Sequence, residues 1–425
     1  MLFVYTHRMK KKESSLVILF TLIYCCLPKL GKTLSGDIGV HDPSTIVKDG
    51  NNYWTFATGA GISANYSTDL VNWKAASKPV FKKGTWPSWI KNHVPDFGGY
   101  FWAPDIIYLN GMYYLYYACS TSGSSVSAIG VATTPTLNQD SPDYEWKDLG
   151  MVVSSTTHLD INAIDPSVFK DTNGRLYLAY GSYKAGLGII ELDPATGKVK
   201  AGANLSRVAG GEDAAWEAPC LIKEGNYYYL FANRAHCCNG SVSTYYIVTG
   251  RSKSPTGPFF DKNGINLRGN TASGGGTPVL VTSGRYIGPG HLGLLRENGR
   301  DLVSMHYYDG NEYGVSKLDI ASLQFTDDDW PIINRNYLVA GRYKITSPVS
   351  KLVWEAPGCG GSGSERLVVN ADNNTGCQEW DVTPVGDGYY KISNEAQNHA
   401  VDVPSCYAGR KTCFGNIANT NKETN

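Results

Sequence analysis

The chain carries no excess of either charge. Its 38 Lys and Arg balance 38 Asp and Glu over 425 residues, and charged residues make up only 18% of the whole. With no net field, global attraction to nucleic acid or to an anionic membrane is excluded as its organising interaction. Helical periodicity is also scarce, since no segment sustains a 3.6-residue apolar repeat for long. The apolar run Leu16–Leu27, behind Lys10-Lys11-Lys12, is too short for a comfortable membrane span and reads as the core of a secretory signal peptide. Residues 1–35 are therefore expected to be a leader, with Met9 as an alternative start. Cys25 and Cys26 stand in no convincing lipobox, so the expected destination is extracellular or periplasmic. Export permits disulfides, but the eight cysteines left after cleavage cannot be paired from their spacing. Cys237 and Cys238 are adjacent and form either a vicinal disulfide or bonds to two separate partners.

Aromatics and glycine are abundant: 28 Tyr, 10 Trp and 47 Gly. That mixture suits many short strands joined by tight turns, and most of the tyrosines are expected to be packing residues. It also suits sugar binding, because flat aromatic faces stack on the apolar faces of sugar rings.

The abundance is ordered. Ala163-Ile164-Asp165-Pro166-Ser167 leads through Asn173-Gly174 into Leu176–Tyr180, an apolar, tyrosine-bearing strand. The same plan appears at His41-Asp42-Pro43-Ser44, at Trp102-Ala103-Pro104-Asp105 and at Trp216-Glu217-Ala218-Pro219, each leading to a tyrosine-rich segment. A fifth copy fits Gly288-Pro289-Gly290-His291. Prolines 43, 104, 166 and 219 recur roughly every 50–60 residues, a period that points to a propeller or solenoid. Turn dipeptides such as Asp49-Gly50 and Asn110-Gly111 bound the strands. The fold class is all-β, and five repeats predict a five-bladed β-propeller over residues 36–350. Residues 351–365, with Gly358–Ser364, read as a linker.

If each repeat is a blade, residues at its start converge on the central channel. Asp42, Asp165 and Glu217 stand there. A lone Asp before Pro is more often a turn residue bonded to backbone amides; three acids in register favour chemistry instead. Glycoside cleavage needs one carboxyl to protonate the leaving oxygen and another to activate water or attack the sugar. A third carboxylate can keep the donor protonated by like-charge repulsion.

These stretches, together with Ser127–Ala132, Gly181-Ser182, Ser243-Thr244-Tyr245 and His306-Tyr307-Tyr308-Asp309, resemble glycoside hydrolase family 43 and, within it, the endo-1,5-α-L-arabinanases. The resemblance implies a secreted, inverting hydrolase of internal α-1,5-L-arabinofuranosyl linkages in plant arabinan. It makes Asp42 the general base, Glu217 the proton donor and Asp165 the group tuning that donor. It places Asn162, Ser182 and Gly123 on sugar hydroxyls and counts Trp102 and Asp105 with the substrate-binding set, Trp102 being either a stacking wall or a packing residue. It also implies a channel-bound calcium held by His306, with His291 the less favoured ligand, although imidazole is an unusual partner for so hard an ion. The expected partners are arabinan or arabino-oligosaccharides, with no nucleic acid and no membrane after cleavage, and the expected state is a monomer. Two rivals stay open: an exo-acting arabinofuranosidase or xylosidase of the same family, and a non-catalytic sugar-binding propeller. Loop Lys83–Gly99, with Trp86 and Trp89, is either a wall or a platform of the groove.

Downstream, Gln378-Glu379-Trp380, Gly388–Asn394 and Ala400–Val403 resemble one repeat of the ricin-type β-trefoil lectins, with their Gln-x-Trp signature. Fewer than 70 residues remain, against on the order of 120 for a complete trefoil, so residues 366–425 are expected to be a partial lectin-like module.

Overall fold

The computed structural model describes residues 34–269, 275–297, 300–335, 341–346, 350–359, 367–386, 389–394, 399–402 and 416–419; the expected leader therefore lies outside the described residues. The chain divides into two units, one spanning Thr33–Arg335 and one holding Asn336–Asn425.

The larger unit contains five consecutive antiparallel sheets. The first holds Val47–Asp49, Asn52–Ala57, Ser63–Ser67 and Asn72–Ala75, and Ser35–Gly36 joins its edge in parallel with Asn72-Trp73. The second runs from Tyr100–Leu109 through Met112–Cys119 and Ser127–Thr134 to Lys147–Ser155, the third from Ser167–Lys170 to Ser206–Ala209. Trp216–Glu224 opens the fourth and Tyr286–Glu297 the fifth. Five sheets thus match the five sequence repeats, one to each. Tight turns carry the hairpins, as at Asn110-Gly111, where both residues have positive φ, 53° and 79°, the backbone that Asn-Gly adopts most readily.

Apolar layers fill the spaces between consecutive sheets. Trp54, Phe56, Phe101 and Tyr117 lie between the first and second; Tyr116, Ile129, Leu178 and Leu192 between the second and third. Ile189, Trp216 and Phe259 continue the series, as do Phe231, Val303 and Met305. Each such side chain contributes about 1.5–3 kcal/mol on burial. The first and fifth sheets meet through polar contacts: Ser304 Oγ donates to the Ser44 carbonyl at 2.9 Å, Leu318 N–H to the Ile38 carbonyl at 2.7 Å, and Tyr53 OH to Glu297 at 2.6 Å.

The smaller unit contains a five-stranded sheet, in which Trp380–Gly386 lies between Gly341–Tyr343 at one edge and the central Tyr389–Asn394, and a two-stranded pair, Val353–Glu355 with Val368–Asn370. The strand Val353–Glu355 and the turn Pro357–Cys359 place secondary structure inside the stretch read as linker. The Gln-x-Trp signature is interior: Gln378 donates to Glu355 and to the Ala371 carbonyl, both at 2.7 Å, and Trp380, fully buried, donates to the Trp354 carbonyl at 3.1 Å.

Candidate active site

Each repeat enters its sheet through the same backbone kink. Asp42, Ala103, Asp165, Ala218 and His291 all have positive φ, between 42° and 61°, and four of them precede proline. In the second, fourth and fifth sheets a bulge follows, where pairing slips between Trp102 and Asp105, Glu217 and Cys220, and Gly290 and Gly293. Kinks and bulges of this kind re-aim side chains and concentrate where a site has to be built. The three acids are therefore not strictly equivalent: Asp42 and Asp165 occupy the kink itself, and Glu217 stands one residue before it.

All three line one cleft of about 740 Å³. Around Asp42 the wall is made by the first and fifth sheets. His41 Nδ1 lies 2.9 Å from Asp42 Oδ2, Thr58 Oγ1 donates to the same oxygen at 2.8 Å, and Asp42 N–H donates to His306 Nδ1 at 3.2 Å. His41 Nε2 in turn bonds the Tyr308 hydroxyl at 2.7 Å. Burial opposes the charge on Asp42, but the bonded His41 imidazole overcomes it and holds the carboxyl well below the usual carboxylate range. His41 is pushed up, because Asp42 outweighs its own burial. His291 and His306 are pushed down by burial, so of the three imidazoles His41 acts most strongly on Asp42.

Around Glu217 the wall belongs to the third and fourth sheets. Ser182 Oγ donates to Glu217 Oε2 at 2.8 Å, and Ala218 N–H donates to Asp165 Oδ2 at 3.1 Å. Burial first, then the charge of Asp42, pushes Glu217 up against the opposing hydrogen bonds from Ser182 and Tyr245. Asp165 is pushed well up by burial and by the charges of Glu217 and Asp42.

Of the other expected residues, Trp102, Gly123, Asn162 and Ser182 line the cleft. Trp102 also packs on the layer between the second and third sheets. Asn162 Oδ1 accepts from Ser127 Oγ at 2.8 Å, which fixes its amide. Gly123 has φ +75° and open space where a Cβ would stand. Asp105 requires correction: it is buried away from the cleft lining and clamps three sheet starts together. Its carboxylate accepts from Thr45 N–H at 2.9 Å and from Val168 N–H at 2.8 Å, and burial pushes its pKa up to about 6. Trp86 and Trp89 do not line the cleft either. Trp86 packs edge-on against Phe97, and Trp89 Nε1 donates to Asp148 at 3.0 Å. Sequence reasoning missed Thr58 and Tyr245 as site residues, although Tyr245 lies in a quoted motif; neither residue type signals an acid's partner without the fold.

His41, Asp42 and His306 offer ligand atoms within 4.8 Å of one another, a candidate metal site. Both nitrogens of His41 are already bonded. Among the described residues His306 Nε2 is buried with no hydrogen-bond partner; it fits a cation, with water at the remaining positions, only in the tautomer that carries its proton on Nδ1 and so gives up the bond from Asp42 N–H.

The model for glycosyl hydrolases family 43 matches residues 37–331. The chain belongs to that family. This family 43 chain is 37% identical over 313 residues to an extracellular exo-α-(1→5)-L-arabinofuranosidase of Cellvibrio japonicus, covering 71% of this chain and 88% of that protein. It is 39% identical over 297 residues to an extracellular endo-α-(1→5)-L-arabinanase of Bacillus subtilis, covering 69% and 87%. Among solved structures it is similar to a family 43 endo-arabinanase from Bacillus licheniformis, with 39% identity and a TM-score of 0.63, over 71% of this chain and 99% of that one. A second model, ricin-type beta-trefoil lectin domain-like, matches residues 326–412, beginning well before the boundary expected at 366. The chain is thus a family 43 glycoside hydrolase of arabinanase-like fold with a lectin-like C-terminal domain.

Proposed function

We propose that this family 43 chain is a secreted, inverting endo-hydrolase of α-1,5-linked arabinan. The observation that carries the reading is one cleft holding two carboxyls in opposite settings: Asp42 bonded to the His41 imidazole, which lowers its proton affinity, and Glu217 bonded to Ser182, where burial raises it. Asp42 takes the proton from water as it attacks the anomeric carbon, and Glu217 gives its proton to the leaving oxygen. Asp165 and Glu217 resist ionising together, so an ionised Asp165 keeps the proton on Glu217. Inversion requires carboxyl groups about 6.5–9.5 Å apart, room for the water between them.

Endo action is supported by the Lys83–Gly99 loop, neither of whose tryptophans lines the cleft. The exo relative favours the alternative of cleavage from one end. The five sheets, with polar contacts between first and last, support closure into a five-bladed propeller. The domain plan is a leader over 1–35, the propeller over 36–350 and a partial lectin-like module after it. Calcium at His306, carrying its own water, is the cation that the family resemblance favours.

Incubation with debranched arabinan and, separately, xylan tests the reading. Arabino-oligosaccharides of mixed length, released first as the β-anomer by proton NMR, are expected; arabinose alone would mean exo action, and no product from either polymer would leave the sugar-binding rival. Chelation is expected to lower the melting temperature by a few degrees, about 2–4 °C per kcal/mol lost. Added calcium restores it, and His306→Ala removes the response.

A further inference from the structure

Cys237 and Cys238 are joined to each other, and both line the cleft that holds the three acids. Cys238 is exposed and Cys237 half-buried. The pair is fixed in place on its backbone side: Cys238 N–H donates to the Tyr308 hydroxyl at 2.8 Å, and Tyr308 bonds His41, the partner of Asp42. Cys238 Sγ lies 3.9 Å from His41 Nε2. A bond between neighbours closes so short a loop that it removes little entropy from the unfolded chain, so stability gives a weak reason for its presence.

Its chemistry gives a better one. Disulfide sulfurs carry no proton to donate, accept hydrogen bonds weakly, and are large and polarisable. The lining sets carboxylates and imidazole, at Asp42, Asp165, Glu217 and His41, beside the aromatic side chains of Trp102 and Tyr245. The sulfur pair adds a non-donating face beside His41 and Asp42, and its closed ring has no side-chain rotation left to lose when a ligand lands on it. We propose that the Cys237–Cys238 disulfide is a sugar-contacting platform, a specificity-determining surface that takes the C–H face of an arabinofuranose ring beside the reacting carboxyls. The proposal rests on the arabinan reading of the same cleft.

The test compares wild type, Cys237→Ser/Cys238→Ser, and wild type reduced with a water-soluble phosphine, on linear arabino-oligosaccharides. Mass spectrometry after alkylation of the folded protein counts opened cysteines; Cys119 and Cys220 are free and buried. Loss of the platform is expected to raise KM about tenfold, which is about 1.4 kcal/mol, with kcat within roughly threefold and the pH profile unchanged. The double variant is expected to be indifferent to phosphine, which separates this bond from any other disulfide. An unchanged KM in the folded variant, or in wild type with the pair demonstrably reduced, would overturn the platform. So would a moved acid limb at constant KM, which would mean that the pair acts through Tyr308 on Asp42. If the variant does not fold, reduced wild type alone decides. Wild type inactive on arabinan would instead sink the arabinan reading, an outcome the KM comparison cannot mimic.

Discussion

Asp42 and Glu217 are carboxyl groups of one cleft, yet the two walls treat their charge oppositely. The first-and-fifth-sheet wall surrounds Asp42 with His41, Thr58 and the ring of His306, and the carboxylate stays ionised. The third-and-fourth-sheet wall gives Glu217 a hydroxyl from Ser182 and another acid, Asp165, and the proton stays on. Burial disfavours charge at both, so burial does not make the difference. The partner does: an imidazole that can carry charge on one side, like-charged neighbours on the other.

The comparison is broken most severely by removing the proton. Glu217→Gln keeps the shape and the bond to Ser182 but has no proton to give, and kcat is expected to fall by about 10²–10⁴, read as arabino-oligosaccharide release. Asp165→Asn should cost less, roughly 10-fold to 100-fold, below the range for losing the acid itself. It also moves the alkaline limb of kcat/KM toward lower pH. The sign follows from charge: where Asp165 has lost its own proton its carboxylate holds the proton on Glu217, so a neutral amide there lets Glu217 ionise sooner as pH rises. A limb that stays put would mean that Asp165 is neutral over that range and that Glu217 owes its raised proton affinity to burial and to Asp42.

On the opposite wall the expected shift has the reverse sense. His41→Gln removes the imidazolium that favours the Asp42 carboxylate, so Asp42 takes up a proton at higher pH than before. The acid limb of kcat/KM moves up, and activity near neutrality falls only a few-fold, on the order of the smaller acid–base effects. An acid limb unchanged in His41→Gln would assign the low proton affinity of Asp42 to Thr58, His291 and His306.

The repeats explain which parts were legible. Proline and turn dipeptides mark every sheet start, because φ and chain reversal are fixed by those residue types themselves. The acids were legible because they stand beside those marks. Asp105 stands beside one too, and it misled. Aligning the second and fourth sheets on their bulges sets Trp102 against Glu217 and Asp105 against Cys220, so Asp105 occupies the inward, buried place of a cysteine and not the place of the acid. Composition carries no trace of which way a bulge turns a side chain; only the paired register does. Thr58 and Tyr245 were hidden for a related reason, since each serves an acid distant in sequence that the fold brings beside it.

The smallest expected effect separates the two units. Every residue placed at the cleft lies between His41 and Ser316, and the family 43 match ends at 331, whereas the Gln-x-Trp signature spends its side chains on interior bonds to Glu355, Ala371 and Trp354. A chain stopped after Ala340 retains the Arg335 contact to Asp319 and every cleft residue. Its kcat and KM on short soluble arabino-oligosaccharides are expected to stay within about twofold of the full chain, inside the ±0.5 kcal/mol of changes remote from a site. Polymer is the sharper substrate. If the C-terminal unit holds sugar on its own, the shortened chain loses rate on arabinan at low substrate concentration while keeping it on trisaccharide, because a second contact raises the local concentration of polymer and does nothing for a ligand that fills one site. Equal losses on both would instead make the unit a prop for the cleft, and the signature's buried bonds its whole purpose.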